Sequence, residues 1–183
     1  MLLTACGISE RQLENLPIVI SQTESQIVDI NQVISNAQEE VQKALPDAYL
    51  IFFSFVGQCT NLPKLQGEIR LDFAHIQRSV FGDRSFLGRA TIHTFDQTLS
   101  FDVKDETEHY PNMEPLALDG NGTQEIANIL HDHLVSKNSC IDTIVLSRVS
   151  TESPWLVRCG PPDEVFLECV EIDPENGKIT ELQ

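Results

Sequence analysis

The first regular pattern along the chain is a stripe of apolar residues spaced three and four positions apart. Polar residues fill the positions between its members, so the segment presents one apolar face, as an amphipathic helix does. Ser21, Thr23 and Ser25 precede it as candidate N-cap residues. Pro46 ends it, because the residue before a proline is displaced from helical angles. The stripe consists of Ile27, Ile30, Ile34, Ala37, Val41 and Ala44.

After Pro46 the apolar period changes to two residues, which is typical of β-strands. Residues 48–56 are almost entirely apolar and predict a central strand that is covered on both faces. Apolar and polar residues alternate in the segments that follow. These segments predict strands at 67–75, 89–95 and 98–103.

The second half of the chain repeats this change of period. Residues 104–122 are polar and contain two prolines, so they predict a connector. Ile126, Ile129, Leu130 and Leu134 then form the apolar face of a second predicted helix at 123–137. Four more strands are predicted at 141–149, 154–159, 165–172 and 178–182.

The order of elements is a helix followed by four strands, twice. This order predicts an α+β fold of two tandem units, each with one helix packed across its own four-stranded antiparallel sheet. One continuous sheet that carries both helices would bury the same apolar residues. The predicted organisation is a lipidation site and polar tether at 1–24, a first unit at 25–104, a connector at 105–122 and a second unit at 123–183.

Composition limits the classes of partner. The 183 residues carry 28 acidic and 12 basic side chains, a net charge of −16. A field of this sign repels phosphate backbones, so nucleic acid is not an expected partner. The acidic surplus is typical of a solubilising surface, with binding of cations or of a basic partner as the alternative. No segment approaches the roughly 20 consecutive apolar residues that span a bilayer.

The tetrad Leu3-Thr4-Ala5-Cys6 resembles the lipobox of bacterial lipoproteins. The resemblance implies that the Cys6 thiol carries a diacylglyceryl group and that the chain is cleaved just before Cys6. Met1 and Leu2 cannot supply the charged and apolar regions of an export signal, so either a signal segment lies upstream or Cys6 is an incidental cysteine at a plain start. From the resemblance we expect a lipid-anchored protein on the periplasmic or extracellular face of the cell envelope.

The other four cysteines are Cys59, Cys140, Cys159 and Cys169, which can pair in three ways. Cys159 and Cys169 flank a segment rich in glycine and proline, so we expect them to bond across a hairpin. Cys59 and Cys140 would then be left to each other. The alternative is that all four are free and buried, since cysteine is also an ordinary core residue.

The C-terminal segment resembles the end of a PepSY-type unit, in which a strand that begins with Trp is followed by a strand, an Asp, a short turn, a Gly and a final apolar strand. Trp155 opens the first of these strands, and residues 170–179 supply the rest. The resemblance implies that Asp173 caps the turn and that Gly177 has a positive φ. It also implies a non-enzymatic envelope domain associated with holding or inhibiting proteases. In architecture the chain is similar to cystatin-like folds and to secreted β-lactamase inhibitor proteins.

Two short segments have the residue types of metal ligands. Residues 119–123 resemble a calcium loop, but Ala117 and Asn128 stand where ligands are required, so we expect a turn with Asn121 or Thr123 as the N-cap of the second helix. His131 and His133 lie two positions apart on a helix and point in different directions, and His133 is expected to be partly packed. No metal site and no cofactor are predicted.

Signatures of catalysis are not found in the sequence. No nucleophile elbow, phosphate-binding loop or dinucleotide fingerprint occurs. His75 and His93 lie on predicted strands and either could approach a cysteine, but the expected disulfide bonds leave no thiolate for them to activate. We therefore predict a non-catalytic protein that binds a protein or peptide of the envelope. The alternatives are an inhibitor of an envelope hydrolase that inserts residues 104–122, and an enzyme with a scattered site.

Overall fold

The computed structural model describes residues 13–17, 28–78, 80, 84–95, 98–105, 114–138, 143–160 and 167–182. The helices are α1 (Ile30–Ala44) and α2 (Gly120–Ser136), and a 3-10 helix spans Cys59–Lys64. The strands are β1 (Leu13–Pro17), β2 (Tyr49–Gln58), β3 (Glu68–Gln77), β4 (Arg84–His93), β5 (Thr98–Asp105), β6 (Thr143–Arg148), β7 (Trp155–Gly160), β8 (Leu167–Ile172) and β9 (Ile179–Glu181).

All described strands belong to one antiparallel sheet, in the order β1-β5-β4-β3-β2-β6-β7-β8-β9. The four strands that follow α1 and the four that follow α2 are joined where β2 pairs with β6, from Phe53 opposite Arg148 to Gln58 opposite Thr143. The predicted α+β class is therefore confirmed. The described strands form one continuous sheet, which is the alternative that the sequence allows to two separate sheets.

Both helices pack on the same face of this sheet. Their buried side chains join those of alternating strand positions in one large core. Phe53 and Phe55 of β2 are fully buried in it, and Phe53 meets Trp155 of β7 edge to face at 5.6 Å between ring centroids. Burial of these large apolar side chains is the main stabilising contribution of the helix layer.

The start of α1 differs from the prediction. Asp29 is the N-cap, and its Oδ1 accepts a hydrogen bond from the backbone N–H of Gln32 at 3.2 Å. The prediction of Ser21, Thr23 or Ser25 as the cap is therefore wrong. Asp29 lies on the polar face of the predicted helix, but its carboxylate binds a free N–H group of the first turn. The helix therefore begins after Asp29, later than the prediction places it.

The start of α2 also differs. Asp119 caps this helix, and its carboxylate accepts from the N–H groups of Asn121 at 3.2 Å and Gly122 at 3.1 Å. Asn121 and Thr123, predicted as caps, lie inside the first turn. Gly120 donates to Asn31 Oδ1 at 3.0 Å, and a Cβ on Gly120 would come within 2.6 Å of the Asn31 side chain. The two helices can approach at this point because residue 120 has no side chain.

The predicted tether at 1–24 needs a correction. Residues 13–17 form β1, which pairs with β5 at one edge of the sheet. The remainder of that segment, including Cys6, lies outside the described residues. Seven of the eight predicted strands match the observed bounds within two residues, and the exception is β4, which begins at Arg84 instead of Arg89. At the start of β4, Phe86 and Leu87 are consecutive apolar residues on opposite faces of the sheet, and Gly88 has no side chain. The sequence therefore shows no alternation of apolar and polar residues there.

Candidate functional site

The sheet face away from the helices is the first candidate site, and we call it the distal face. In the centre of the sheet it carries a small apolar cluster of Ile51, Ala74 and Leu87, with Tyr49 and Phe52 packed against it. A bulge in β2 between Leu50 and Phe52 gives this face two consecutive residues, Ile51 and Phe52. No described helix covers this cluster.

Three charged side chains lie together on the distal face, and we call them the arginine cluster: Arg70, Asp72 and Arg89. Arg70 and Asp72 are two residues apart on β3, and Arg89 is the direct cross-strand partner of Asp72 on β4. Strand periodicity therefore places all three side chains on one face.

The carboxylate of Asp72 accepts hydrogen bonds from both guanidinium groups. Arg70 donates from Nε to Oδ1 at 3.2 Å and from Nη2 to Oδ2 at 3.0 Å. Arg89 donates from Nε to Oδ1 at 2.8 Å and from Nη2 to Oδ2 at 3.3 Å. The Asp72 side chain is only 9% exposed, whereas those of Arg70 and Arg89 are 35% and 29% exposed. Asp72 thus holds two partly exposed planar cations in fixed positions.

An aromatic ring adjoins this cluster. The guanidinium carbon of Arg70 lies 5.6 Å from the centroid of Phe52, within the range of a cation–π contact. The distal face thus combines arginine, aromatic and aliphatic groups. Aromatic residues and arginine are the types enriched at the centre of protein interfaces.

The second candidate site is a groove of about 350 Å³ between α2 and the strands β7 to β9, which we call the disulfide groove. Cys159 and Cys169 are disulfide-bonded, as the spacing across the hairpin predicts. Cys59 is also disulfide-bonded and is buried at 1% exposure, and its predicted partner Cys140 lies outside the described residues. The lining includes His133, Leu134, Lys137, Cys159, Cys169 and Glu181.

His133 of α2 and Lys137, the C-cap residue of this helix, meet one carboxylate at the rim of this groove. Lys137 Nζ donates to Glu181 Oε1 at 2.6 Å, and His133 Nε2 lies 3.5 Å from the same oxygen. The hydrogen bond from Lys137 lowers the pKa of Glu181, with the charges of Lys137 and then His133 acting in the same direction. His133 is 21% exposed, as expected for a partly packed residue, whereas His131 lies beside Asp132.

A third concavity, of about 910 Å³, lies between the β6–β7 and β8–β9 turns. Arg148 lines it and closes the β6–β7 turn by donating to the carbonyl oxygens of Ser153, at 3.2 Å, and Thr151. Its guanidinium carbon lies 5.4 Å from the Trp155 ring centroid, and burial lowers its pKa. These contacts give Arg148 a structural role in the turn.

The β8–β9 turn confirms the predicted roles of two residues. Asp173 Oδ1 accepts from the N–H of Glu175 at 2.8 Å, and the carbonyl oxygen of Asp173 accepts from the N–H of Gly177 at 2.9 Å. Gly177 has a φ of 67°, which an L-residue adopts only at a cost. Local hydrogen bonds thus close the turn, and the Asp173 carboxylate is already bound by groups of the turn itself.

The other residues singled out in the sequence lie apart from these sites. His75 adjoins Phe86 at 6.0 Å between ring centroids, and His93 Nδ1 lies 3.8 Å from a carboxylate oxygen of Glu68. Within the described ranges, no group of three His, Cys, Asp or Glu side chains could hold a metal ion. The arginine cluster is not predictable from the sequence alone, because it depends on the pairing of β3 with β4.

The fold and its sites define an α+β protein with one antiparallel sheet, helices on one face and a cluster of charged and aromatic groups on the other. Comparisons with protein families, curated proteins and solved structures gave no significant match. In the part of the chain that the structure covers, no helix is both long and apolar enough to span a membrane.

Proposed function

We propose that this chain is an exported, lipid-anchored, non-catalytic binding protein of the bacterial cell envelope, and that it binds a protein partner through the distal face. The observation that carries the proposal is the arginine cluster beside Phe52. Asp72 fixes both guanidinium groups before a partner arrives, so less side-chain entropy is lost on binding. Residues in such fixed positions, flanked by an aromatic ring, are the type that dominates binding energy at interfaces.

The compartment is proposed from the cysteines. Cys6 stands in the lipobox-like tetrad. The disulfide bonds of Cys159 with Cys169 and of Cys59 support an oxidising compartment, because structural disulfides are rare in reducing cytosol. Mass spectrometry of the protein expressed in a bacterial host with its native upstream sequence tests this part. We expect a lipid-modified Cys6 at the mature N-terminus, and an unmodified Cys6 would contradict the proposed anchor.

Site-specific photo-crosslinking in the envelope of such a host tests the distal face. A crosslinker at Thr91, which lies on β4 opposite Arg70, should form an adduct with the partner. The same crosslinker at Glu125, an exposed position of α2, is the matched control and should form none. Arg70→Ala should abolish the adduct from Thr91. Adducts from Glu125 alone, or a Thr91 adduct that survives Arg70→Ala, would contradict the proposed face.

The finer architecture is also part of the proposal. We infer that the chain consists of two related units of the PepSY-like or cystatin-like kind, each a helix followed by four strands, which meet at β2 and β6. The order of elements and the central pairing of the first strand of each run support it. In an experimental structure, α1 with β2–β5 should superpose on α2 with β6–β9, and a mismatch in helix placement would contradict common ancestry of the two units.

The alternative is an inhibitor that blocks an envelope protease or another hydrolase with the segment between β5 and α2. The flank 114–119 is well anchored, which favours this alternative because an inhibitory segment loses less entropy on binding when its end is fixed. The N–H of Leu116 donates to the carbonyl oxygen of Leu50 at 2.7 Å, and the N–H of Ala117 donates to Thr151 Oγ1 at 2.9 Å.

A panel of envelope proteases and β-lactamases, assayed with and without the purified protein, tests this alternative. Inhibition that disappears when residues 106–113 are replaced by a glycine-serine linker would favour the inhibitor. Inhibition that survives this replacement but disappears with Arg70→Ala would favour the distal face instead.

A further inference from the structure

The disulfide bond between Cys159 and Cys169 is partly exposed and lines an open groove. A disulfide that serves only to stabilise a fold needs no access from solvent. The groove also brings His133 and Lys137 to the same place. Accessibility favours attack on a disulfide by a thiolate, and a nearby cation such as Lys137 stabilises the thiolate that leaves.

We propose that the disulfide groove is a site of thiol–disulfide exchange, at which a small anionic thiol attacks Cys159 and releases the sulfur of Cys169. The thiolate forms a bond to Sγ of Cys159 while the bond between Cys159 and Cys169 breaks. The electron pair of that bond goes to Sγ of Cys169, which takes a proton from solvent. A second thiol then attacks the mixed disulfide, so two small thiols are oxidised to one disulfide and the protein gains two thiols.

The surroundings of Cys169 favour it as the protonated thiol of the product. Its Sγ lies 3.4 Å from the carbonyl oxygen of Val157, within reach of an S–H donor. The pairing of β7 with β8 is irregular between the pairs Val157–Val170 and Arg158–Glu168. Cys169 is the additional residue of β8 at this irregularity. The released thiol therefore finds an acceptor without movement of the strands.

We assign the preference for an anionic thiol to the charge of Lys137, because Glu181 and the carbonyl end of α2 carry the opposite sign. Lys137 is the C-cap residue of α2, at the end where the helix carbonyl groups would otherwise repel an anion. Lys137 and His133 both contact the carboxylate of Glu181. The electrostatic potential in the groove therefore depends on this carboxylate and on both basic groups. Loss of the Lys137 charge should leave Glu181 and the helix end to repel the thiolate.

Selective reduction of the full-length oxidised protein tests the site. The probe is glutathione, followed by rapid alkylation and peptide mapping. We expect Cys159 and Cys169 to be reduced before Cys59, whose side chain is buried, and we expect brief exposure to give a glutathione adduct on Cys159. Equal rates for both disulfides, earlier reduction of Cys59, or an adduct on Cys169 would overturn the proposal.

A matched pair of variants separates this site from general accessibility. Lys137→Gln should lower the rate of reduction by glutathione relative to neutral 2-mercaptoethanol by about three- to tenfold, as expected for a nearby partly screened charge. Lys178→Gln, on the distant β8–β9 turn, should leave this ratio unchanged. If Lys137→Gln does not fold, Glu181→Gln provides the opposite test, because it should raise the ratio. A ratio that does not respond to either change at the groove would refute the role of its charges.

Discussion

Removal of the Asp72 carboxylate is the sharpest test of the arginine cluster. In Asp72→Ala the two guanidinium groups keep their positions on β3 and β4 but lose the anion between them. Four hydrogen bonds, with donor–acceptor distances from 2.8 to 3.3 Å, disappear together. The variant should therefore unfold more easily, because two like charges remain close to each other on adjacent strands.

The magnitude follows from burial. Breaking a fully buried ion pair by removal of one partner costs about 3–5 kcal/mol. Asp72 is nearly buried, but the side chains of Arg70 and Arg89 are about one-third exposed and can recover hydrogen bonds with water. We therefore expect Asp72→Ala to lower the free energy of unfolding by about 2–3 kcal/mol. Asp72→Asn retains one acceptor oxygen and should cost about half as much.

Urea denaturation followed by circular dichroism measures this loss. An unchanged slope of the free energy of unfolding against urea concentration is the evidence that unfolding remains two-state. Glu68→Ala is the matched control on the same strand, since its carboxylate is much more exposed and should contribute about 0.5 kcal/mol or less. A loss for Asp72→Ala no greater than that of Glu68→Ala would refute the assignment of Asp72 as the residue that holds both arginines.

Three further predictions concern other parts of the fold. Asp119→Ala removes the N-cap of α2 and should lower the free energy of unfolding by about 1–2 kcal/mol. Asp132→Ala changes an exposed residue of the same helix and should have little effect. Equal losses in the two variants would contradict the role of Asp119 as the cap. Gly177→Ala places a side chain at φ 67° and should cost about 1–2 kcal/mol in the same urea assay, and a neutral effect would contradict the strained turn. Because the pKa of Glu181 lies below its ordinary value of 4.5, its pairing with Lys137 should stabilise the fold above pH 4.5. The stability difference from Glu181→Gln, measured by urea titration across pH, should vanish as the pH falls through the lowered pKa and should shrink in high salt.

Local features were largely predictable from the sequence. The period of apolar residues depends on neighbours a few positions apart, so the order of helices and strands followed from it. The turn from Asp173 to Gly177, expected from the resemblance, and the bond between Cys159 and Cys169 are also local features, because each is closed within about ten residues. The helix caps were missed because several residues with suitable oxygens stand before each helix, and only the three-dimensional start of the helix selects Asp29 and Asp119.

Features that depend on strand pairing were not predictable. The apolar residues of β2 and β6 do not indicate that these strands are neighbours, so the sequence could not decide between two sheets and one. The same limit applies to the arginine cluster. Arg89 meets Asp72 because of the register between β4 and β3, and a shift of one residue would move Arg89 to the opposite face.

The composition of β2 connects the fold to the proposed function. Its apolar residues predict a strand covered on both faces, and the helix layer covers Phe53 and Phe55 on one face. The opposite face carries Ile51 and the partly exposed Phe52, and no described helix lies over them. The neighbouring strands add Arg70 and the other charges of the arginine cluster instead of an apolar layer. The fold explains the apolar residues of the first face, whereas a protein partner that docks on the distal face would explain those of the second.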